Sequence, residues 1–283
     1  MDQVVGAVIS GVPLTADSRW AAWAWLLPVA VLYAVGVVLP LAITVQNALQ
    51  LGVAGWGELF GNSLFVNAAW NTVADSAQIT VIAVTLAYTI AAAIWRCGPV
   101  TRACLTTLVV VAFLTTVLVK VVAFNALLRD NGAVNALLMA LRVVQEPIHM
   151  FPGRPAMVIG MVQFAVPFAI FPILGVMLRL DKRVEQAAES LGASPWRVFL
   201  HVVLPLTLPG VVASALLVFV ICTGFYVIPA TLGTPRDQLL ANVVALYALQ
   251  LLDFKVASAV AMVLVAATGV LTVLYQRAER RIR

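Results

Sequence analysis

The chain of 283 residues is 63% hydrophobic and only 10% charged, with a mean hydropathy of +1.04. A soluble globular domain carries roughly 25% charged residues, so this composition excludes that class. It indicates an all-α protein that crosses a membrane several times. The net charge of +5 does not indicate nucleic-acid binding, because the basic residues lie beside apolar runs and form no stripe.

The sequence contains no motif for a disulfide framework, a metal site or catalysis. Cys97, Cys104 and Cys222 form no CxxC pair, and His149 and His201 cannot complete a metal site by themselves. We expect the thiols to fill small apolar spaces. The phosphate-binding motif G-x-x-x-x-G-K-[ST] is absent, as are H-E-x-x-H and G-x-S-x-G. We therefore expect no catalytic residue, metal ligand or bound cofactor in this chain.

Apolar runs of about 20 residues predict membrane-spanning helices. The segment between the first two runs, residues 47–69, is expected to be a connection, and Pro167 and Pro172 are expected to interrupt the fourth run. The sequence contains six such runs: Trp20 to Val45, Asn71 to Trp95, Ala103 to Phe124, Ala156 to Leu178, Pro209 to Pro229, and Val256 to Gln276.

Lysine and arginine residues orient these spans. With both termini inside, 11 of the 17 fall on the cytoplasmic side, including Arg19, Arg96, Arg102, four around the loop 180–208 and four in the last seven residues, and five fall on the outer side. The positive-inside rule therefore predicts that the tail 1–19, this loop and the basic tail 277–283 are cytoplasmic. The membrane domain then covers residues 20–276, with the loops 125–155 and 230–254 on the outer side. Each outer loop is predicted to contain a short interfacial helix.

One polar, charge-dense island lies between the spanning runs, Leu180 to Pro209, with the sequence LDKRVEQAAESLGASPWRVFLHVVLPLTLP. Asp181 is positioned to cap a short helix, and Gly192 to end it in a left-handed conformation. Ser194 and Pro195 are positioned to begin a second helix. Alanine and glycine give one face of the first helix little bulk, which favours close approach by another protein. The alternative is an ordinary cytoplasmic loop with well-formed helix ends.

The spacing in this island resembles the EAA loop of ABC-importer permeases. The positions that match are Ala187, Ala188, Gly192, Val202, Leu204 and Pro205. Gln186 stands where that family has an acidic residue, and Glu185 precedes it. In that family the loop is the coupling helix that docks on the ATPase subunit. The resemblance implies an ATPase-coupling role for Glu185, Gln186, Ala187, Ala188, Gly192, Ala193, Leu204 and Pro205.

From Trp20 to the tail, the order of features resembles the first permease subunit of spermidine/putrescine-type importers. The stretches that carry this resemblance are NGAVNALL, GMVQFAVPFAIFPI, LPGVVASALLVFVICTGFYVIP and LGTPRDQLLANVVALYALQLLDF. The resemblance implies a type I importer with the MetI-like transmembrane fold in a bacterial inner membrane. Its implied partners are a second homologous permease, two ATPase subunits that hold ATP and Mg, and a periplasmic or lipid-anchored substrate-binding protein.

The resemblance further implies that this subunit forms half of the translocation path for a small cationic solute such as a polyamine. The same class also carries amino-acid derivatives, opines and phosphonates, so these solutes stay open as alternatives. A secondary transporter that works without ATP is a competing class. It predicts broken helices at the bilayer midplane, repeated halves and buried ion-coupling carboxylates. The sequence has prolines in several spans but no repeat and no acid expected deep in the membrane.

Few polar residues lie within the apolar runs, and those that do are candidates for the substrate path. Asp75 and Lys120 are ionisable and are expected near the outer interface. They either snorkel or pair across helices, or they border the path, where Asp75 would contact a cation. Gln163, Thr223 and Tyr226 are uncharged, and each either lines the path or bonds a neighbouring helix.

Overall fold

The computed structural model describes residues 27–282, and every regular element in that range is a helix. The first turns of the predicted first span and the tail 1–19 lie outside it. In chain order the helices are α1 (Leu27–Leu49), α2 (Gly52–Gly61), α3 (Ser63–Arg96), α4 (Pro99–Leu114), α5 (Val117–Leu128), α6 (Ala133–Ala140), α7 (Arg154–Met177), α8 (Lys182–Ser190), α9 (Pro195–Thr223), α10 (Val227–Leu232), α11 (Leu240–Gln250) and α12 (Phe254–Ile282).

Five of these helices, α1, α3, α7, α9 and α12, are long and apolar enough to cross a membrane. The remaining predicted span is broken, because α4 and the helical segment after it meet at an angle of 92°. A continuous helix from Ala103 to Phe124 is therefore wrong. The break falls at Thr115 and Thr116, whose ψ angles of 127° and 140° are extended. Two consecutive β-branched residues lower helix propensity at this point.

The expected connection over residues 47–69 is also wrong, since it holds the end of α1, all of α2 and the start of α3. Asn62 begins α3, and its Oδ1 accepts a 2.9 Å hydrogen bond from the Leu64 N–H. Phe65 and Ala68 follow and are buried against α11 and α12. A side-chain cap followed by buried apolar residues thus starts the helix well before the uninterrupted apolar run.

The prolines within α7 and α9 do not interrupt these helices, although one is preceded by a wider helical turn. Pro167 and Pro172 lie inside the continuous helix α7, so the expected interruption does not occur. Helix α9 passes through Pro205 and Pro209, and it forms a wide π turn over Phe199–Val203 just before the first of them. Proline cannot donate to the carbonyl one turn earlier and its ring presses on that carbonyl, so a wider turn relieves the contact.

Helices α3, α7 and α9 pack together as the centre of the bundle. At Gly210 of α9, a Cβ atom would lie 3.1 Å from the carbonyl oxygen of Pro172, so glycine permits the close approach of α9 to α7. Ser214 donates a 2.7 Å hydrogen bond to the carbonyl of Ala169 across the same contact. Helix α3 presents a fully buried stripe of small residues: Ala83, Ala87 and Ala91.

A second apolar cluster joins the end of α1 to α2, the first turns of α3, α11 and α12. Ala48 is the only buried residue in the described part of α1, and the remaining faces of this apolar helix are uncovered. The short helices predicted in the loops 125–155 and 230–254 are present as α6 and α11. Leu240 and Val243 of α11 are buried, so this helix is an integral part of the bundle.

Candidate functional site

The polar island folds as two helices joined by a tight turn, as the sequence predicts. The Asp181 carboxylate caps α8 by accepting a 2.9 Å hydrogen bond from the Arg183 N–H. Gly192 has a left-handed φ of +82°, which glycine adopts without steric strain. The Ala193 N–H then donates to the carbonyl of Ala188 at 3.2 Å. This six-to-one hydrogen bond is that of a Schellman turn.

The second helix of the island begins as predicted and continues further than predicted. Ser194 has the extended backbone of an N-cap and Pro195 occupies the first turn, although the serine hydroxyl makes no capping bond. Leu204 and Pro205 lie after the π turn, where α9 has already entered the bundle beside buried Val203. The two-helix loop and the central spanning helix α9 are therefore continuous.

The small residues of the island divide between two faces. Ala188 and Ala193 are partly buried and pack against the main core. Gln186 and Ala187 are exposed and point away from it. The turn residue Gly192 has open space where a Cβ atom would lie. One face of α8 thus holds the loop against the bundle, and the opposite face is free for another surface.

Glu185 connects the island to the end of α3. Its Oε1 lies 4.0 Å from Nη2 of Arg96, and the arginine side chain is 57% exposed. Arg96 is in the last turn of α3, where a cation complements the negative end of the helix dipole. The contact is an exposed and weak ion pair.

Sequence reasoning missed the exposed apolar residues of the island. Leu191, at the turn, is 89% exposed, and Trp196 is 67% exposed. The Trp196 ring stacks on Phe199 with centroids 5.5 Å apart. A groove of about 560 Å³ runs beside this pair against Tyr88 and Ala92 of α3. The available signal was a leucine directly before the turn glycine and a tryptophan in the first turn of the next helix.

Asp75 is fully buried on α3 and is paired across helices. Its Oδ1 accepts two hydrogen bonds from Arg154 at the start of α7, one from Nε at 3.0 Å and one from Nη2. The arginine side chain is 50% exposed. Asp75 therefore already has a cationic partner. This favours pairing across helices over a contact between Asp75 and a cationic solute.

Lys120 on α5 is only 7% exposed, so it does not snorkel to a surface of this chain. Its Nζ lies 5.7 Å from the centroid of the Phe164 ring, within the range of a cation–π interaction. Among residues 27–282 no carboxylate pairs with this ammonium group. The lysine is thus a buried cation that contacts the face of an aromatic ring.

Phe164 belongs to an aromatic cluster that links α4, α7 and the end of α9. Its ring centroid lies 4.4 Å from that of Phe225 and 5.2 Å from that of Phe168, which in turn lies 4.9 Å from Phe113. Phe225 directly follows Thr-Gly at the end of α9. The cluster therefore connects the surroundings of Lys120 to the segment that follows α9.

The three uncharged candidates differ in their contacts. Gln163 lines an otherwise apolar cavity of about 650 Å³ between α3, α4, α5 and α7, and its Oε1 is buried without a hydrogen-bond partner among the described residues. Thr223 donates to the carbonyl of Phe219 at 2.7 Å, a bond within α9. Tyr226 is 42% exposed and borders a separate polar cavity of about 250 Å³ with Asn242.

Side-chain amides make hydrogen bonds that order the two long loops. Asn135 exchanges two 2.9 Å hydrogen bonds with the backbone of Ile148 within the loop 125–155. Asn71 on α3 donates to the carbonyl of Arg236 at 2.9 Å in the loop 230–254. The loops are therefore ordered surfaces at the end of the bundle opposite the polar island. Among the described residues no group of three His, Cys, Asp or Glu side chains forms a metal site.

Residues 90–283 match the model of the family described as binding-protein-dependent transport system inner membrane component. The chain belongs to this family. It is 30% identical, over 82% of its own length and 81% of the relative, to the spermidine/putrescine transport system permease protein PotB of Haemophilus influenzae. The Escherichia coli protein of that name is 31% identical over 61% of this chain and 63% of its own length.

Solved structures agree with the fold. A chain of the bacterial alginate ABC transporter, in complex with a periplasmic protein that carries an alginate pentasaccharide, superposes with a TM-score of 0.77 at 18% identity. The superposition covers 94% of this chain and 96% of that one. A chain of the MetNI methionine ABC transporter gives a TM-score of 0.57 at 18% identity, over 78% and 96% of the two chains.

These relationships confirm the fold class and the transporter class predicted from the sequence. The chain is a multi-pass permease of an ABC importer in an inner membrane, with the MetI-like helical fold. As a member of this family it is a transport component and not an enzyme. The resemblance to the spermidine/putrescine subgroup is also confirmed.

Proposed function

We propose that this permease forms half of the translocation path of an ATP-driven importer for a small cationic solute such as a polyamine. The observation that carries the solute class is the identity of 30% and 31% to relatives named as spermidine/putrescine transport system permeases. The aromatic cluster around Phe164 supports it, because ring faces attract organic cations without binding them permanently.

The proposed assembly contains a second homologous permease, two ATPase subunits and a substrate-binding protein, which is periplasmic or lipid-anchored. Both termini of this chain are cytoplasmic in this proposal. The chain itself binds no cofactor, and ATP and Mg are held by the ATPase subunits, which carry out hydrolysis. The uncovered apolar faces of α1 favour a membrane-embedded partner. The ordered loops 125–155 and 230–254 supply the surface for the binding protein.

In this proposal the polar island is the coupling loop. Leu191 and Trp196 offer apolar contact to the ATPase, and the open space at Gly192 lets the partner approach the backbone. Gln186 and Ala187 lie on the same exposed face, Glu185 faces Arg96 of α3, and Ala188 and Ala193 hold the loop to the core. The residues that bind the partner and the residues that hold the loop are thus different.

Helix α9 transmits the movement of the loop. It is a single helix of 29 residues, about 43 Å long, which begins in the island and ends beside the aromatic cluster. A displacement of the loop when the ATPases close therefore tilts α9 as a body and changes the packing of Phe225 on Phe164. This movement alternately exposes the path to the two sides of the membrane, and the permease performs no chemistry.

One observation favours a second candidate solute. Lys120 has no carboxylate partner among the described residues, and a carboxylate or phosphonate of an amino-acid derivative, an opine or a phosphonate would neutralise it. A secondary transporter has less support, because Asp75, the buried acid of the described spans, is already paired with Arg154.

The test is purification of the chain from native membranes in mild detergent, followed by mass spectrometry of the bound proteins. We expect an ATPase with a phosphate-binding motif, a second permease and, after crosslinking, a binding protein. That binding protein is then screened with putrescine, spermidine, an opine and a phosphonate. Binding of the opine or the phosphonate alone would exclude the cationic solute. Recovery of the chain without any ATPase would exclude ATP coupling.

A further inference from the structure

Lys120 has the chemical form of the solute class proposed above. Its side chain is an aliphatic chain that ends in a primary ammonium group, as do the two ends of putrescine. This ammonium lies over the Phe164 ring at 5.7 Å from the centroid. Only 7% of the residue is exposed, and no acid among the described residues pairs with it, so the aromatic face takes the place of a carboxylate.

A second observation concerns the residue before Phe164. Gln163 lies on the neighbouring face of α7, and its Oε1 is buried without a hydrogen-bond partner among the described residues. A buried acceptor without a donor costs on the order of 1–3 kcal/mol, so a group that supplies one gains that amount. Gln163 lines the apolar cavity of about 650 Å³, which is large enough for an alkyl diamine, whereas Lys120 and Phe164 are not part of its lining.

Lys120 lies in the first turn of α5, directly after the break at Thr115 and Thr116, where the chain turns by 92°. Phe164 also packs on Phe225, which follows the end of α9. The ring that holds the ammonium group is therefore in contact with the end of the helix that begins in the coupling loop.

We propose that Lys120 is a tethered occupant of the aromatic site, whose ammonium group covers the Phe164 ring face until the ammonium group of the solute displaces it. The inference rests on the proposed function and names a specificity-determining residue for it. Lys120 repels a second cation while it is in place, so the site holds the solute weakly and releases it. The unpaired oxygen of Gln163, on the neighbouring face of α7, is an acceptor for a second N–H donor of the solute.

The test is equilibrium binding of radiolabelled putrescine to the copurified transporter in nanodiscs, in the absence of the binding protein. We expect Lys120→Met to bind putrescine about tenfold more tightly than the wild type, because a like charge next to the site is removed. Lys120→Arg keeps the charge and is expected to bind as weakly as the wild type. Lys255→Met removes an exposed lysine at the start of α12 and is the matched control.

A second pair of variants identifies the ring. In the Lys120→Met background, Phe164→Leu is expected to abolish the gain, whereas Phe171→Leu is expected to retain it. Phe171 belongs to the same aromatic network through Phe113 but is not under the ammonium group. If the methionine variant does not assemble, Lys120→Gln also removes the charge and is expected to give the same tightening.

The outcomes separate this inference from the proposed function. Suppose that the wild-type transporter imports putrescine and that wild type and Lys120→Met bind it equally. This result would contradict the proposal that Lys120 occupies the aromatic site, and it would leave the proposed polyamine import unaffected. Weaker binding of an opine or a phosphonate by Lys120→Met than by the wild type, without tighter putrescine binding, would make Lys120 a ligand for an anionic solute. Failure of the wild-type transporter and its binding protein to import any polyamine would overturn the proposed solute itself.

Discussion

Helix α3 carries two ion pairs, one in its first half and one in its last turn, and they differ in burial, hydrogen bonding and the elements that they join. Asp75 is fully buried and receives two hydrogen bonds from Arg154 of α7. Arg96, in the last turn, is 57% exposed and lies 4.0 Å from Glu185 of the two-helix loop. The first pair joins two central helices, and the second joins a central helix to the loop that we propose couples to the ATPase.

The difference indicates which contacts are fixed and which can change. Separating a buried pair leaves a charge without solvent, so α3 and α7 are expected to move as one body. Separating an exposed pair replaces a weak contact with water at little cost. The loop is thus attached to α3 by a contact that can open and to α9 by the continuous helical backbone, so its movement passes chiefly into α9.

The largest expected effect comes from breaking the buried pair. Arg154→Met leaves the Asp75 carboxylate buried without its partner, and we expect a loss of about 3 kcal/mol in the free energy of unfolding in detergent. This value is at the low end for buried pairs because the arginine side chain is half exposed. The measurement is denaturant unfolding of the purified chain.

The double variant Asp75→Asn, Arg154→Met is the control for this prediction. It removes both charges, and we expect it to recover most of the lost stability, since the penalty arises from the unpaired charge and not from the absence of the pair. A double variant no more stable than Arg154→Met would show that the arginine acts by packing.

The second-largest expected effect concerns the exposed coupling loop. Leu191→Asp places a charge at the turn of the coupling loop, and we expect solute uptake to fall about tenfold or more, because an unpaired charge would be buried in the ATPase contact. The chain should fold normally, since Leu191 is 89% exposed. The measurements are uptake into membrane vesicles and copurification of the ATPase.

The matched control is Val53→Asp in α2, where the valine is 93% exposed. It adds the same charge to an equally open apolar position outside the coupling loop, and we expect wild-type uptake. Equal loss of uptake in both variants would attribute the effect to a general disturbance. Normal uptake in Leu191→Asp would contradict docking through the turn.

The same contrast explains how much could be predicted from the sequence. The two-helix loop was predicted in detail because its determinants are local: Asp181 caps the helix two residues later, and Gly192 forms the turn beside Ala193. The pairing of Asp75 with Arg154 spans 79 residues of sequence, and no local pattern identifies the partner of a buried acid.

The remaining errors have the same origin. The break at Thr115 and Thr116 carries no proline or glycine, so hydropathy alone predicts one continuous span. The continuity of α7 through Pro167 and Pro172 depends on its packing in the bundle centre, which local propensity does not describe. The exposure of Leu191 was missed because exposure depends on the tertiary fold.

A smaller effect tests the local geometry of the loop. Gly192→Ala keeps the surface nearly unchanged but forces an L-residue to a φ of +82°, which costs on the order of 1 kcal/mol. Gly175→Ala is the contrast, since Gly175 lies inside α7 with open space at its Cβ position and a helical φ. There we expect unchanged or slightly higher stability. Thermal unfolding of the two variants is the measurement, and equal destabilisation would contradict strain at the turn.

The smallest expected effect belongs to the exposed pair itself. Arg96→Gln and Glu185→Gln, taken singly and together, form a double-mutant cycle whose coupling energy in unfolding we expect to be below about 0.5 kcal/mol. Added salt should reduce it further, because exposed charges are screened. A coupling energy comparable to that of Asp75 and Arg154 would mean that α3 holds the loop as firmly as it holds α7. In that case the movement of the loop would be transmitted through α3 as well as through α9.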